Sequence, residues 1–390
     1  MGQAISSLGS SFTGFALPLL VFQLTHSAVN LALNAATGLI PYLLFGLVIG
    51  AWVDRVDRKC VMVYTDIGRA LIIASIPLFS TLGSLSITWI YVVAFVNSTL
   101  TICFDAANFA ALPSLVKPGE LVVANGRIQA SYSVTRILGP LLAGVLLALV
   151  PLPMLLLIDA LSFLCSVASL LFVAVSFHTG KRRESKSIIA DIHEGLHYVV
   201  THPILRWITL LLLIINFIGP TTDIQIVLFA KEWLHANNTQ VGLLLSVGSV
   251  GVVLFSLLAG KLRKHFPFGI LLLGSLLIQA LFTIASALTH LYWLTLPFWA
   301  VRMGASVLFN INGYSLTQAI VPDELLGRII IFTRVLTWST AAIGALLGGV
   351  LIERVQSIGL VYIGIGGLFF LTALAFFWTP LGRVKEVDAN

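Results

Sequence analysis

The chain contains 390 residues, of which 58% are hydrophobic and 10% are charged, and its formal net charge is +6. A soluble domain carries roughly 25% charged residues, so this composition excludes a water-soluble globular protein. The apolar residues fall in blocks of about 20 to 28, long enough to cross about 30 Å of hydrocarbon as helices. A transmembrane β-barrel is excluded as well, because its strands alternate apolar and polar residues over about ten positions.

Polar breaks between the apolar blocks predict twelve membrane-spanning helices. In chain order, the predicted spans cover residues 2–24, 28–52, 60–81, 88–112, 124–149, 153–176, 205–230, 240–260, 268–288, 291–317, 329–352 and 358–379. The sequence therefore predicts an all-α integral membrane protein of about twelve transmembrane helices, with boundaries good to a few residues.

The longest polar stretch divides the predicted helices into six plus six. It begins with the basic run Lys181–Lys186 and continues through residues 188–200, where apolar residues recur at helical spacing. We expect either an amphipathic helix on the membrane surface or a plain linker helix there. The predicted organisation is an N-terminal six-helix bundle at 1–176, a cytoplasmic linker at 177–203 and a C-terminal six-helix bundle at 204–390.

The two halves resemble each other at an offset of about 205 residues. The segment Val116–Leu121 has a counterpart in Val321–Leu325, and Gly139–Leu146 has one in Gly344–Leu351. Duplicated six-helix units are typical of secondary transporters, whose halves rock against each other around a site near the middle of the membrane. The repeat therefore predicts two pseudo-symmetric bundles.

The distribution of basic residues predicts the orientation. If the even-numbered loops, the linker and the C terminus share one side, that side carries most of the 22 lysine and arginine residues. The opposite side keeps only Lys231 and Arg354. By the positive-inside rule, we expect both termini in the cytoplasm and the chain in the inner, or plasma, membrane. This distribution accounts for the net positive charge, so we expect no nucleic-acid partner.

A charged motif lies between the second and third predicted helices. Gly50 is followed by Asp54-Arg55 and then by Asp57-Arg58-Lys59, which resembles the most recognisable loop motif of the major facilitator superfamily. Gly50 would permit close packing, Asp54 could accept hydrogen bonds from a helix N terminus, and the basic groups could pair with acids or lipid phosphates. We expect either a latch between the two halves on the cytoplasmic side or an ordinary basic loop.

The fifth predicted helix contains Arg136, Gly139, Pro140 and Gly144. This arrangement resembles the Gly-Pro signature in the fifth helix of superfamily exporters, although the additional upstream glycines of the full antiporter motif are absent. Pro140 lacks an N–H and bends the helix, while the two glycines allow a neighbouring helix to approach closely. The pattern favours a functional motif over packing alone.

Further short matches are similar to the macrolide-efflux and enterobactin-export branch of the superfamily. They are Ile5–Gly9, Asp66–Ala70, Asp105–Asn108, Leu112-Pro113, Ala124-Asn125, Ile158–Phe163 and, in the linker, Gly195-Leu196. The chain departs from many of these relatives at Ser10-Ser11, where they have an acid after the glycine of the first helix. A carboxylate role in that helix is therefore not available here.

Ionisable residues inside the predicted spans are candidates for function, because an unpaired charge in the membrane is costly. They are Asp66, Arg69, Asp105, Arg136, Asp159, Asp223, Arg302 and Arg334. A buried carboxylate could exchange one proton per cycle and so couple a proton gradient to transport. Asp105 is the first candidate, and Arg69 and Arg136 are its expected partners. Asp159 and Asp223 follow. For each of the three acids, a static buried ion pair is the competing interpretation. Asp66 and Arg69, which lie three residues apart on one helix face, are further candidates for either role.

The resemblance implies a major facilitator fold and a proton-driven exporter of a small hydrophobic or amphipathic molecule, such as a drug, macrolide or siderophore. A lysophospholipid flippase or an uptake symporter of the same fold stays open, as does a membrane sensor that does not transport. The eight histidines lie in loops or at helix ends and the three cysteines have no metal-binding spacing. We therefore expect no metal site, no cofactor and no membrane-embedded enzyme. The expected partners are a small-molecule substrate, protons and the lipid bilayer, with the chain as a monomer.

Overall fold

Helices are the only regular secondary structure in the parts of the chain that the computed structural model describes, residues 2–53, 56–115, 121–172, 198–321 and 323–384. The first half contains six long helices. They are α1 Gly2–Thr25, α2 Ala28–Val53, α3 Arg58–Thr81, α4 Ile87–Leu115, α5 Leu121–Leu146 and α6 Leu152–Leu171. Their bounds follow the predicted apolar blocks because a helix in lipid satisfies its backbone groups within its own segment.

The second half repeats this arrangement. Its long helices are α7 Leu205–Ile218, α8 Asn238–Arg263, α9 Phe268–Leu288, α10 Tyr292–Ile320, α11 Asp323–Val355 and α12 Ile358–Phe377, followed by a 3-10 turn at Pro380–Arg383. Within the described ranges, eleven helical stretches are long and apolar enough to cross a membrane, and α5 supplies a shorter apolar stretch at Ser131–Leu146. The predicted all-α membrane fold of about twelve spans is confirmed.

The chain after α7 does not continue as one regular helix. A five-residue helix, Pro220–Ile224, follows directly, then a short turn, Ile226–Leu228, and a π-helical segment, Phe229–Trp233. Pro220 has no N–H to donate, so one hydrogen bond is missing there, but Gly219 keeps helical dihedral angles and Leu205–Ile224 forms one stretch. The departure from helical geometry comes at Gln225, with φ −86° and ψ 9°. The sequence predicted one continuous span from 205 to 230, since hydropathy reports the length of an apolar block and not its local breaks.

Two compact units make up the chain, residues 1–182 with 236–246 and residues 183–235 with 247–390. In the first unit, α1 packs against α5 and α6, α3 packs against α4 and α6, and α2 packs against α4. In the second unit, α9 packs against α10 and α12, and α7 packs against α11. The bundle and linker boundaries at 176 and 203 stay a prediction. Residues 173–197, with most of the expected amphipathic helix, lie outside the described part of the chain.

Corresponding glycines let corresponding helices pack closely in the two units. A side chain at Gly139 of α5 would collide with Ser11 of α1. In the same way, a side chain at Gly344 of α11 would collide with the backbone of Phe217 in α7. Small residues allow membrane helices to approach closely, and Gly139 and Gly344 are partners in the sequence repeat. The repeat therefore has a counterpart in how each unit is packed.

Candidate functional site

A cavity of about 380 Å³ lies within the first unit, between α1, α3, α4 and α5. One wall is a polar stripe on α1. The stripe consists of Gln3, Ser6, Ser7, Ser10 and Ser11. Residues at this spacing share one helix face, so all five point into the same space. The remaining walls are formed by Arg69 of α3, by Thr101, Phe104 and Asp105 of α4, and by Tyr132, Thr135 and Arg136 of α5.

Most hydroxyl groups of this cavity donate their protons to backbone carbonyls of their own helices. Ser7 and Thr101 each donate to the carbonyl four residues earlier at 2.8 Å. Ser11 donates to the carbonyl four residues earlier at 3.0 Å, and Thr135 to the carbonyl three residues earlier at 3.0 Å. A hydroxyl that has donated its proton still has lone pairs that accept. These side chains therefore present hydrogen-bond acceptors to a ligand.

Arg69 is the centre of a buried network beside the cavity. The residue is 8% exposed, and its Nη1 lies 3.5 Å from Asp66 Oδ1. Its Nε donates to Asn97 at 3.4 Å and its Nη2 to Ser10 at 3.3 Å. The guanidinium also lies 4.0 Å from the ring centroid of Phe163. Arg69 thus connects α3 to α1, α4 and α6, through contacts that are longer than the roughly 2.7–2.9 Å usual for charge-assisted hydrogen bonds.

Asp159 of α6 is 1% exposed and is held by hydroxyl groups. Thr13 of α1 donates to its Oδ2, and Ser162 donates to its Oδ1 at 3.2 Å. A side chain at Gly9 would collide with Ser162 and with this carboxylate, so α1 lies tightly against the acid. Arg69 interacts with Asp159 through space. The buried carboxylate is therefore part of the same electrostatic network, without a cation in contact among the described residues.

Asp105 of α4 and Arg136 of α5 line the same cavity, and both are exposed. In the described part of the chain, neither makes a hydrogen bond or an ion pair of 4.0 Å or less. The expected pairing of Asp105 with Arg69 or Arg136 is thus not a direct contact, although the charges of Asp105 and Arg69 interact through space. Besides Arg69, which is paired with Asp66, the cavity thus presents one acid and one base that have no partner among the described residues.

The second unit contains a much tighter ion pair. Arg302 of α10 is 1% exposed, and its Nη1 lies 2.7 Å from Asp223 Oδ1. Its Nε donates to Thr283 at 3.2 Å, and its Nη2 donates to Thr222. The guanidinium carbon lies 4.5 Å from the ring centroid of Trp299. The Asp223 side chain is 51% exposed, so the arginine is the buried end of the pair.

The charged loop before α3 has a local structural role. Asp57 caps the N terminus of α3, accepting from the backbone N–H of Lys59 at 2.8 Å and of Cys60 at 3.2 Å. This is the usual way in which an acid satisfies the first N–H groups of a helix. The Lys59 ammonium donates to the carbonyl of Leu171, the last residue of α6, at 3.5 Å. The end of the motif therefore fixes the start of α3 against α6.

The rest of the loop motif is only partly described. Gly50 lies in α2, near its C-terminal end, and Arg58 is buried at the start of α3. Asp54 and Arg55 lie outside the described residues, as does the side chain of Arg334. The latch therefore stays a prediction.

The second glycine of the helix 5 motif holds another helix close. Residues 236–246 belong to the first unit, where Gly144 meets the start of α8. A side chain at Gly144 would come within 3.2 Å of backbone atoms of Asn238, Thr239 and Gly242. Thr239 donates to the carbonyl of Gly144 at 2.9 Å. The motif thus lets α5 pack closely on both α1 and α8, and its role in transport stays a prediction.

Two parts of this arrangement were not predicted from sequence. The polar stripe of α1 was missed, although its helical spacing was a visible signal. In the sequence, Ser10-Ser11 was noted only as the position where many relatives have an acid. The pairing of Asp223 with Arg302 was missed because the two residues are 79 positions apart. No local pattern carries information about such a contact.

The whole chain, residues 1–390, matches the family described as transmembrane secretion effector. The uncharacterized MFS-type transporter YfiS of Bacillus subtilis is 28% identical, over 95% of this chain and 90% of its own. Macrolide efflux protein A of Streptococcus pyogenes is 24% identical over 91% and 88%. The enterobactin exporter EntS of Citrobacter koseri is 25% identical over 97% and 92%. The similarity to macrolide-efflux and enterobactin-export proteins, first seen in short motifs, is confirmed.

Solved structures of the same fold cover nearly the entire chain. The crystal structure of the nucleoside transporter NupG matches with a TM-score of 0.75 at 14% identity, over 98% of each chain. A bacterial homologue of the iron transporter ferroportin, in its inward-facing state, matches with a TM-score of 0.74 at 16% identity, over 96% of each chain. At these identities the likeness concerns the fold alone, and it confirms the major facilitator fold.

Proposed function

Because this chain belongs to the transmembrane secretion effector family of major facilitator transporters, we propose that it exports a small hydrophobic or amphipathic compound in exchange for protons. The efflux relatives support the outward direction and a substrate of the drug, macrolide or siderophore class. The distribution of lysine and arginine supports placement in the inner, or plasma, membrane with both termini in the cytoplasm. The chain works as a monomer and needs no cofactor.

The observation that carries this proposal is the unpaired carboxylate of Asp105 in a polar cavity. An aspartate in a membrane helix is costly unless it is paired, hydrated or protonated. Asp105 has no direct partner among the described residues, and its exposure to the cavity gives it access to water, protons and substrate. Such a carboxylate can hold a proton or a donor group of the substrate, but not both at once. Competition for one carboxylate makes the two fluxes depend on each other.

The buried network behind the cavity supports this role. The Arg69 guanidinium contacts Asp66 and interacts through space with Asp105. A positive charge nearby favours the ionised form of a carboxylate, so a proton taken up by Asp105 can leave again in the next half of the cycle. Asp159 is the second candidate for proton transfer, since it lies in the same network. Asp223 is less suited, because Arg302 holds it at 2.7 Å.

Export by alternating access also requires the two halves to exchange between two arrangements. We assign the cytoplasmic latch to the loop motif formed by Gly50, Asp54, Arg55, Asp57, Arg58 and Lys59. In the helix 5 motif, Gly139 and Gly144 allow close helix contacts. These glycines would let α5 move against its neighbours without side-chain clashes. Both assignments are part of this proposal.

Substrate-induced proton release from purified protein tests the proposal. The protein is mixed in weak buffer with macrolides, siderophores, cationic dyes or lysolipids, and the pH is followed with a soluble indicator. An exported compound should release protons from the wild type and not from Asp105→Asn. In proteoliposomes, Asp105→Asn should abolish gradient-driven transport and still allow downhill exchange at saturating substrate, because asparagine mimics the protonated acid.

The thermal stability of Asp105→Asn serves as the control. Asp105 has no ion pair in the described structure, so its replacement should leave the melting temperature nearly unchanged. Normal gradient-driven export by Asp105→Asn would remove it from coupling and move that role to Asp159. Proton release with lysolipids alone would instead indicate a flippase, and inward substrate flow driven by the gradient would indicate a symporter.

A further inference from the structure

We propose that the cavity of the first unit takes an amphoteric substrate, with a basic amine at Asp105 and an acidic group at Arg136. This inference rests on the proposed function and assigns the substrate class of the same site. Its starting point is the pair of opposite charges that line one cavity from two helices, α4 and α5. Within the described ranges, the two side chains make no ion pair or hydrogen bond with each other or with a third residue.

A stabilising role does not explain two separated charges. The ion pairs found among the described residues bring the charged groups within 4.0 Å of each other, at 2.7 Å for Arg302 and Asp223 and at 3.5 Å for Arg69 and Asp66. Asp105 and Arg136 each keep an exposed position instead. Each charge must be hydrated while the cavity is open, and each needs a partner when water is excluded. A ligand with both charges supplies both partners.

The uncharged part of the wall also offers both kinds of hydrogen bond. Ser7, Ser11 and Thr101 donate their protons to backbone carbonyls, so their lone pairs accept from a ligand. Tyr132 provides the opposite kind, because it lines the cavity and its phenol O–H can donate. Tyr132 and Phe104 add aromatic surface. The volume of about 380 Å³ falls within the range of roughly 300–1,000 Å³ that is usual for small-molecule sites.

A singly charged ligand fits this wall less well. A cation would pair with Asp105 and leave Arg136 without a partner, and an anion would do the reverse. A charge that loses its water and gains no partner raises the free energy of the complex. A singly charged ligand should therefore bind less tightly. The structure therefore favours a molecule that carries both an amine and an acid.

Three forms of one scaffold test this directly. Norfloxacin carries a piperazine amine and a carboxylate, its methyl ester keeps only the amine, and its N-acetyl derivative keeps only the acid. Equilibrium binding to the purified full-length protein is measured at neutral pH by fluorescence, without a proton gradient. We expect the wild type to bind norfloxacin about tenfold more tightly than either singly charged derivative, since each charge-assisted contact contributes at least a factor of this order.

The variants assign each end of the ligand. Asp105→Asn should weaken binding of norfloxacin and of its methyl ester about tenfold and leave the N-acetyl derivative unchanged. Arg136→Gln should weaken binding of norfloxacin and of the N-acetyl derivative and leave the ester unchanged. Arg136→Lys should restore most of the lost affinity because it keeps the charge. Arg354→Gln is the matched control, because Arg354 is an exposed arginine in the last turn of α11, in the second unit. It should change none of these affinities.

The inference is overturned if the wild type binds all three compounds equally or binds none of them. It is also overturned if the ester binds as tightly as norfloxacin and Arg136→Gln changes the affinity for neither compound. The site would then recognise cations alone. These results come from binding, so they are separate from the proposed function. If the binding test refutes the amphoteric substrate class but another compound releases protons, the export proposal still holds.

Discussion

The buried arginine of the second unit gives a prediction whose size follows from its contacts. Arg302 is 1% exposed and is bonded to Asp223 at 2.7 Å, to Thr283 and to Thr222. Asp223→Asn removes the compensating charge and keeps the shape. The remaining partners are neutral hydroxyls and the ring of Trp299, so the cation becomes a largely uncompensated buried charge.

Removing one partner of a fully buried pair costs about 3–5 kcal/mol. Here Asp223 is half exposed, and asparagine still offers one neutral acceptor, so we expect a smaller loss of about 2 kcal/mol in the free energy of unfolding. At roughly 2–4 °C per kcal/mol for a unit of this size, the melting temperature should fall by about 4–8 °C. In a background of Arg302→Met there is no buried cation, and the same substitution should cost less than about 0.5 kcal/mol.

The assay is thermal unfolding of the four purified proteins in one detergent, with Lys264→Gln as the control at an exposed base of the same unit. The control should stay within about 0.5 kcal/mol of the wild type. The double-mutant cycle then gives the coupling between the two residues. Equal losses from Asp223→Asn in both backgrounds would show that the contact contributes nothing, and the reasoning from burial would fail.

Three further predictions concern topology, the loop motif and helix packing. In a background without the native cysteines, Ser185→Cys should react with impermeant maleimide only from the cytoplasm and Ser84→Cys only from outside; same-side labelling would overturn the twelve-span topology. Asp54→Asn should lower transport while the protein still inserts and melts normally, and full transport would reduce the motif to a topology signal. Gly139→Val should lower the free energy of unfolding by about 1–3 kcal/mol through collision with Ser11. Adding Ser11→Gly should recover part of this loss, and no recovery in the double variant would contradict the contact.

The number and positions of the spans could be derived from sequence. In lipid, each helix satisfies its own backbone, so the length and apolar content of one block decide whether it spans. The bounds of α9, Phe268–Leu288, agree with the predicted span at both ends. The agreement ends beyond α7: the helical stretch continues past Pro220 to Ile224, and the irregular segment begins at Gln225. A proline is visible in the sequence, but neighbouring helices decide whether it bends or breaks a helix.

The candidate residues could be found from sequence for a related reason. Charges are rare in membrane helices because they are costly, so Asp105, Arg136 and Arg302 stand out in apolar surroundings. Their residue types suggested both ion pairs and proton transfer, and the sequence offered nothing to decide between them.

The tertiary structure decided which charges meet. Arg302 reaches Asp223 across 79 residues, whereas Asp105 lines a cavity without a contact partner among the described residues. Hydropathy is a local property, because a helix meets the bilayer through its own side chains. Pairing between helices depends on how they pack and rotate against one another, and that is set by contacts distant in the chain, such as Gly139 against Ser11. The sequence by itself determined the membrane helices and the residues able to act, and only their packing decided which acid is held and which is exposed to a ligand.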